Sequence, residues 1–510
     1  MVNLSTWVVL MAFFTVLSKI LGFIRELVLS YFFGSNALTD AFVISWNIPL
    51  VVFGGIATAL LTCYVPMYHN VKSGGKKAID YFNSNLISIV FIISLIIISV
   101  FLIFDETIIR TFFINTDKLH TQETFIYTVR FSHLMIWTMA FLGISFILQG
   151  YLQVHEQFKI VGLMGIPLNL FIISGFLLAV KFNSLFMALG VLLGYAFYVP
   201  YFAFPAYKLG FRYKPVLNFK DPNVKAIILL VIPVFFGRMV FDINLMIDRY
   251  LASGLQSGTV SCLNYANKLN LMINSVVVTS VGTTIFPRIS KLVHDKKMDE
   301  VKNTLSVSLG GMSIFLVPIA FAMTSLSRPI VSLIFERGAF DATSVKITSE
   351  ALTFYSISMI SLGWRQIMEK VFYAMNDTKT PMINSILSIS VNIILNLALI
   401  GSMQHKGLAL ATTVSSVTTA MLFFFKLQKK IGKFADKSLK DSFIKIIISS
   451  AIMAIFAKMI FQIADKFISK NVFVFLIVVL VSMIIYYILL KVFKVKELKI
   501  TENIIKSKIK

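Results

Sequence analysis

The stretch SKILGFIRELVLSYFFGSNALTD, from Ser18 to Asp40, places ionisable residues inside the first long apolar segment of the chain. Lys19, Arg25 and Glu26 have apolar sequence on both sides. An ionised group at the centre of a bilayer costs about 2.5 to 3.5 kcal/mol on insertion scales, so these side chains are expected to face a watery cavity, a partner charge or a substrate. The alternative is that they lie at a helix end and extend to the lipid headgroups.

The composition of the whole chain is that of a membrane protein. Of its 510 residues 57% are hydrophobic and 14% are charged, and the mean hydropathy is +0.84. Long apolar segments recur from end to end, and long continuous segments predict spanning helices rather than barrel strands. We therefore predict an all-α polytopic membrane protein with fourteen transmembrane helices. The predicted spans cover residues 5–33, 40–68, 83–104, 124–150, 158–180, 184–207, 224–250, 258–286, 303–325, 343–375, 380–401, 407–428, 442–464 and 471–493.

The net charge of +23 follows the predicted membrane topology rather than indicating nucleic-acid binding. With the N-terminus placed in the cytoplasm, the inner gaps between spans hold 29 lysines and arginines and the outer gaps hold 10. Cytoplasmic loops carry such an excess, so both termini are predicted in the cytoplasm. Cys63 and Cys262 lie in separate apolar segments and are interpreted as reduced packing residues.

The chain repeats itself at a spacing of about 220 residues. YFFGSNALTDAFVISWNIP, from Tyr31, resembles YLASGLQSGTVSCLNYANKL, from Tyr250, and Gly143 aligns with Gly363 in a second pair of segments. Two six-helix lobes are therefore predicted, with the substrate held between them. The predicted divisions are residues 1–215, residues 216–435, and a C-terminal part, 436–510, with two helices and a basic tail.

Ionisable residues at membrane depth concentrate on the first two helices of each predicted lobe. The predicted substrate-binding residues among them are Lys19, Arg25, Glu26, Asp40 and Lys268. A surface shared by these helices would be a cationic cleft, which suits an anionic headgroup such as a pyrophosphate.

A second polar group consists of carboxamides. Asn392 and Asn396 are one helical turn apart, and with Asp248 their oxygens are of the kind that coordinates a small hard cation. Hydrogen bonding between helices is the alternative. The six histidines lack metal-ligand spacing and no catalytic motif is present in the sequence, so a transporter rather than an enzyme is predicted.

Six segments together resemble the MurJ/MviN flippase family of the multidrug/oligosaccharidyl-lipid/polysaccharide exporter superfamily. The likeness covers the first twelve predicted spans. Its marks are SKILGFIRELVLSYFFGSNALTDAF (from Ser18), SCLNYANKL (from Ser261), IFPRISK (from Ile285), FERGAFD (from Phe335), FYAMNDTKTP (from Phe372) and KGLALAT (from Lys406).

The resemblance implies a flippase of the bacterial cytoplasmic membrane that moves lipid II, the undecaprenyl-pyrophosphate-linked peptidoglycan precursor, to the outer leaflet by alternating access. It implies a central cationic cavity, with Lys19, Arg25 and Lys268 at family arginine positions, and a lipid-tail groove shaped by the last two helices. It also implies sodium as the coupling ion, at Asp248, Asn392, Asn396 and Thr412. Membrane lipids and cell-wall synthesis proteins are the implied partners.

The sequence departs from the family pattern after Pro49. The family usually shows two arginines and then an acidic residue there, whereas LVVFGGIATALLTCYVP carries no charge; Lys19 and Lys268 replace arginines, and Asn396 stands where an acid is common. A flippase for a capsule or teichoic precursor is therefore an alternative, as is a drug or sodium antiporter of the same superfamily. A membrane-embedded glycosyl- or acyltransferase and a non-transporting scaffold are further alternatives.

Overall fold

A computed structural model describes residues 4–118, 121–375, 377–435, 437–467 and 472–498, which form helices joined by short connections. The structure confirms the all-α fold class. The helices are α1 (Leu4–Phe33), α2 (Ala37–Pro49), α3 (Gly55–Lys72), α4 (Gly75–Phe112), α5 (Thr121–Met135), α6 (Thr138–Val154), α7 (Phe158–Leu163), α8 (Gly165–Lys181), α9 (Leu185–Lys208), α10 (Pro222–Ser253), α11 (Thr259–His294), α12 (Met298–Ser325), α13 (Ser327–Phe335), α14 (Ala342–Ala374), α15 (Lys379–Met403), α16 (His405–Ile431), α17 (Lys437–Phe467) and α18 (Val472–Val492). A π-helical turn, Leu50–Gly54, joins α2 to α3.

Each of the fourteen predicted spans coincides with one helix or with two consecutive helices. Among the described residues nine helices are long and apolar enough to cross a membrane, counting α2 with α3 and α7 with α8, and the bent pair α5 and α6 makes a tenth. The other four predicted spans, α1, α10, α11 and α14, are 30 to 36 residues long, which exceeds the roughly 20 residues that a crossing requires. The chain is thus a multi-span membrane protein, and the count of fourteen stays a prediction.

The chain divides into two compact units. The first comprises Met1–Ser261 and Arg337–Asp341, and the second comprises Cys262–Glu336 and Ala342–Lys510. The first unit extends past residue 215 because α10 packs against α3 and α4. The three-part division at 215/216 and 435/436 stays a prediction, and the end of the basic tail lies outside the described residues.

Within the first unit, α8 and α9 approach each other through glycines. A Cβ atom added to Gly190 would lie 2.8 Å from the carbonyl oxygen of Phe171 and 3.0 Å from the Cα atom of Gly175. Both are backbone atoms, which cannot turn aside as a side chain can. Small residues allow such close contact between helices in membranes, so the GxxxG pair Gly190 and Gly194 serves helix packing.

We expect Gly190→Ala to destabilise the protein by about 1 to 3 kcal/mol, because α8 and α9 must separate to admit the methyl group. Thermal denaturation of the purified protein in detergent measures the change. Gly311→Ala on α12 is the matched control, since no atom lies within 4 Å of its added Cβ and a helical Gly→Ala change stabilises by about 0.5 to 1 kcal/mol. A Gly190→Ala protein that melts at or above the unmodified temperature would contradict the packing assignment.

In the second unit, α16 packs against both α14 and α15, and α12 packs against α14 and α17. One apolar cluster joins α12 to the last two helices through Ile314, Val317, Ile446 and Leu490. The last two helices therefore belong to the same compact unit as α12.

The connection from α14 to α15 is held by Asp377. Its carboxylate accepts hydrogen bonds from the backbone N–H of Thr380 (3.0 Å) and the Thr380 hydroxyl (2.9 Å), and it forms an ion pair with Lys430 at the end of α16. The bond from the Lys430 ammonium group is the main cause that lowers the pKa of Asp377 from 3.8 to about 2.

This lowered pKa predicts a pH-dependent contribution to stability. A carboxylate whose pKa is lower in the folded state stabilises the protein above the unfolded value, and the contribution is lost as the pH falls from about 4 towards 2. We expect Asp377→Asn to lower the melting temperature at pH 7. The difference in melting temperature between this variant and the unmodified protein should be smaller at pH 3. An equal gap at both pH values would show that Asp377 acts through packing alone.

Candidate functional site

Arg25 on α1 is held by charged and polar partners inside the first unit. Its Nη2 donates to Oε1 of Glu26 at 2.5 Å, and its Nη1 donates to Oδ1 of Asn169 on α8 at 2.9 Å. Arg25 is 8% exposed and Glu26 is 3% exposed. The Nδ2 group of Asn169 donates to the Gly165 carbonyl at 2.7 Å, which directs Oδ1 towards the guanidinium group. A partner charge thus offsets the cost of burying Arg25.

Two aromatic residues complete the surroundings of Arg25. The guanidinium carbon lies 4.3 Å from the ring centroid of Trp46 on α2, a cation–π contact. The indole N–H of Trp46 donates to the Tyr195 hydroxyl on α9 at 3.4 Å. Four helices, α1, α2, α8 and α9, therefore fix the position of one buried cation.

Next to this network is a cavity of about 340 Å³ within the first unit. Tyr195 belongs both to the cavity wall and to the Arg25 network. The π-helical turn contributes Leu50, Val51 and Gly54 to the wall, so the charge-free stretch after Pro49 makes this side apolar. The polar residues of the lining are Asn47, Thr58, Ser145, Gln149, Tyr195, Tyr198 and Asp242.

The cavity wall holds a polar group suited to a ligand. In the described part of the chain the Ser145 hydroxyl has no hydrogen-bond partner, although the residue is only 1% exposed. Buried hydroxyl groups normally have a partner. A small number of polar groups in a largely apolar cavity is typical of small-molecule binding sites, which measure about 300 to 1,000 Å³. This cavity therefore has the size for part of a headgroup, such as a sugar ring.

The two predicted lysines lie elsewhere. Lys19, six residues before Arg25 on α1, is exposed, and Lys268 is exposed on α11 in the second unit. Lys19 and Glu26 differ in burial although they are seven residues apart. The common cationic surface of Lys19, Arg25 and Lys268 stays a prediction.

Asp40 forms a clasp between backbone segments of the first unit. Its Oδ1 accepts bonds from the backbone N–H and the hydroxyl of Ser261, both at 2.7 Å, and its Oδ2 accepts one from the Gly258 N–H at 2.8 Å. The side chain is 3% exposed. These bonds use both carboxylate oxygens within the protein, so Asp40 has a structural task, and the predicted substrate contact stays untested.

Two left-handed glycines bring residues 337–341 into the same clasp. The Ala339 N–H donates to the Tyr31 carbonyl at 2.8 Å. Gly34 (φ +64°) and Gly338 (φ +58°) each leave no room for a Cβ, which would lie 2.2 Å from the carbonyl oxygen of Ala339 or of Tyr31, respectively. We call residues 31–40, 258–261 and 337–341 the Asp40 clasp.

The predicted sodium ligands are divided between the two units. Asn392 and Asn396 are buried on α15, and the Nδ2 group of Asn396 donates to Oδ1 of Asn392 at 2.9 Å. Thr412 on α16 donates to the Leu408 carbonyl at 3.0 Å. Asp248 lies on α10 in the first unit. The amide, hydroxyl and carboxylate oxygens of this set are hard donors and fit a sodium ion in kind.

An apolar groove of about 420 Å³ lies between α12, α17 and α18 in the second unit. Phe315 and Pro318 line one side, and Met453, Met483 and Tyr487 line the other. The Tyr486 hydroxyl donates to the Ile314 carbonyl at 2.9 Å, so this polar group of the lining is satisfied within the protein. The groove suits a hydrocarbon chain.

A family model described as lipid II flippase MurJ matches residues 29–482 of the chain. The chain belongs to the MurJ family. This finding confirms the resemblance read from the six sequence segments and places the protein among transporters of the membrane.

Individual relatives agree with the family match. A probable lipid II flippase MurJ of Rickettsia prowazekii is 24% identical over 455 residues, which cover 89% of each chain. A solved structure of a lipid II flippase MurJ in an inward closed conformation has a TM-score of 0.80 and 25% identity, covering 95% of this chain and 98% of its own. A multidrug resistance MATE transporter in an inward-facing conformation, at 10% identity and a TM-score of 0.67, shares the fold.

Sequence reasoning missed several of the residues that surround Arg25 in this MurJ-family chain. In the sequence, Trp46 and Tyr195 look like ordinary aromatic residues of apolar segments. The one feature that could have indicated their role is that each carries a polar atom at membrane depth. Asn169 is a polar residue inside the fifth predicted span, but the sequence gives no indication that it binds Arg25. Ser145 and Gln149, one turn apart on α6, are a second signal of a polar helix face.

Proposed function

We propose that this chain carries lipid II from the inner to the outer leaflet of the cytoplasmic membrane. The observation that carries the proposal is a buried arginine fixed beside a polar and aromatic cavity, in a chain of the MurJ family. A guanidinium group matches the paired oxygens of a pyrophosphate, and the adjoining polar groups suit the attached sugar.

Arg25 is the main headgroup contact in this proposal. Its two bonds to Glu26 and Asn169 use two of five guanidinium N–H groups, and they fix the plane of the group before the substrate arrives. The ion pair with Glu26 offsets the cost of placing the arginine in an apolar surrounding. Lys19 and Lys268 supply further positive charge when the headgroup enters.

The apolar groove between α12, α17 and α18 holds the polyprenyl tail. Its wall is formed by aromatic, methionine and proline side chains, and one helix of the three, α18, has a continuous apolar sequence. A tail in this groove leaves the bulk lipid only partly, so the headgroup can cross while the hydrocarbon stays in an apolar environment.

Two driving forces favour export. An inside-negative membrane potential assists outward movement of an anion by about 2.3 kcal/mol per charge for each 100 mV. Sodium, held by Asp248, Asn392, Asn396 and Thr412, returns the transporter to its inward-open state. With both termini in the cytoplasm, the Asp40 clasp lies on the outer side and opens when the outward-facing state forms.

A leaflet-accessibility assay with purified protein in liposomes tests the proposal. We expect lipid II added to one leaflet to appear in the other, whereas a lipid-linked capsule precursor of equal tail length is not moved. Movement of the capsule precursor alone would replace the substrate, and efflux of a cationic drug without movement of either lipid would place the chain with the antiporters.

A further inference from the structure

The helix α15 buries a polar stripe instead of an apolar one. Its buried residues are Pro381, Asn384, Asn392 and Asn396, with half-buried Ser388 between them. These positions follow at intervals of three or four residues and therefore lie on one helix face. Since α15 packs almost entirely against α16, this face is the one turned to α16.

Asn384 is the unexplained member of the stripe. The residue is 0% exposed, and among the described residues neither its Nδ2 nor its Oδ1 atom has a hydrogen-bond partner. Leaving both polar atoms of a buried amide unsatisfied is costly, and such groups in native proteins have a partner, a water or an ion. Asn384 therefore points to a ligand that the protein chain itself does not supply.

The register of the two helices identifies what faces Asn384. Ser388 donates to the carbonyl oxygen of Ser415 at 3.4 Å, and α15 and α16 are antiparallel because only Gln404 separates them. In antiparallel helices, a step of four residues towards the N-terminus of one helix matches a step of four residues towards the C-terminus of the other. Starting from the Ser388–Ser415 pair, Asn384 on α15 therefore lies at the same height as Thr419 on α16. Thr419 is 0% exposed and donates its hydroxyl hydrogen to the Ser415 carbonyl at 2.6 Å, so its oxygen remains an acceptor.

We propose that Asn384, Ser388 and Thr419 form a second sodium station, separate from the one at Asn392, Asn396 and Thr412. The inference rests on the proposed sodium coupling and extends it. The two stations are eight residues apart along α15, or about 12 Å at 1.5 Å per residue. They make the α15–α16 interface a path by which the ion leaves the main site towards the Lys379 end of the helix.

The chemistry of the second station suits passage rather than storage. Its amide, hydroxyl and carbonyl oxygens are hard ligands for sodium, but none of them carries a charge. A site without a carboxylate binds a cation weakly, and conduction requires binding that is weak enough for the ion to leave. The polar stripe of α15 also means that an ion moving between the two stations does not cross a fully apolar region.

The test uses the full-length protein in lipid nanodiscs with radioactive ²²Na⁺ as the probe. We expect Asn384→Leu to leave the equilibrium sodium affinity within about twofold of the unmodified protein while slowing release by about tenfold or more, because the path is sealed and the main site is intact. Ser390→Ala, on the exposed side of the same helix, is the matched control and should change neither quantity.

Two further variants give an independent result. Asn384→Asp places a carboxylate in the station and should add a bound sodium ion, including in the double variant Asn384→Asp with Asn392→Ala, in which the main site is damaged. Release at the unmodified rate in Asn384→Leu together with no added sodium in Asn384→Asp would overturn the station and leave water as the ligand of Asn384. Loss of all equilibrium binding in Asn384→Leu would also overturn it, because Asn384 would then belong to the main site.

The same data distinguish this inference from the coupling proposal. If the unmodified protein binds no sodium but the Asn384→Asp, Asn392→Ala protein does, sodium coupling is wrong, and the second station has room for a cation but is no release path. If neither binds sodium, both are wrong.

Discussion

Replacing Arg25 and Glu26 together by glutamine is expected to reduce lipid II transport by about 10- to 100-fold, since a hydrogen bond to a charged group contributes about 1.5 to 3 kcal/mol and 1.4 kcal/mol is a factor of ten. The double change is chosen because removing one partner of a buried ion pair costs about 3 to 5 kcal/mol of stability. Glutamine at both positions avoids a lone buried charge; it matches glutamate in size, and it is smaller than arginine but stays polar. Transport in liposomes and complementation of a flippase-depleted strain measure the effect.

A neutralised surface pair provides the control for the Arg25 variant. Glu106 and Arg110 on α4 lie 3.9 Å apart and are exposed, so Glu106→Gln with Arg110→Gln removes the same charges without touching the cavity. We expect this control to transport normally. Normal transport by the Arg25→Gln, Glu26→Gln protein, at an equal amount in the membrane, would refute the headgroup assignment.

The second large effect is expected from opening the Asp40 clasp. Asp40→Ala leaves the N–H groups of Gly258 and Ser261 without their acceptor, at about 1 to 3 kcal/mol for each buried group. The Ser261 hydroxyl keeps the Gly258 carbonyl as an acceptor at 3.0 Å. The ratio of closed to open Asp40 clasp should therefore fall by at least about tenfold. The expected readout is faster labelling of Val260→Cys, a position that is 2% exposed, by a maleimide reagent.

The labelling experiment uses a background in which the buried Cys63 and Cys262 are replaced by alanine. Asp40→Asn is the conservative comparison, because its amide keeps one oxygen acceptor for Ser261 but presents an N–H group to Gly258. We expect it to label at a rate between those of the unmodified and Asp40→Ala proteins. Equal rates in all three proteins would mean that the clasp does not restrain this segment.

The sequence was sufficient to predict the fold class and to single out the ionisable residues inside an apolar segment. Charge is a property of the residue type, so Arg25 and Glu26 inside an apolar segment stand out without any structure. Their partners do not, because Asn169 comes from a helix 144 residues away along the chain. Periodicity gives the face that a helix buries but not the register between two helices, and the contacts of Trp46 and Tyr195 depend on that register.

The region after Pro49 shows a second limit of sequence reasoning. Its lack of charge is evident in the sequence. The π-helical turn at Leu50–Gly54 is not, because such a turn contains one residue more than an α-helical turn. No residue type in LVVFG indicates this extra residue. The same applies to Asn384, which in the sequence is one more polar residue near a helix start. What distinguishes it from an ordinary packing amide is its burial with no hydrogen-bond partner among the residues that the structure describes.

The bonds that Asp40 and Ala339 make in the Asp40 clasp join backbone carbonyl and N–H groups, the Ser261 hydroxyl and one enclosed carboxylate. Dissolved salt screens exposed charges over about 10 Å at 0.1 M but acts far less on enclosed groups. These bonds should therefore be equally strong whether the cell is surrounded by a dilute or a concentrated salt solution.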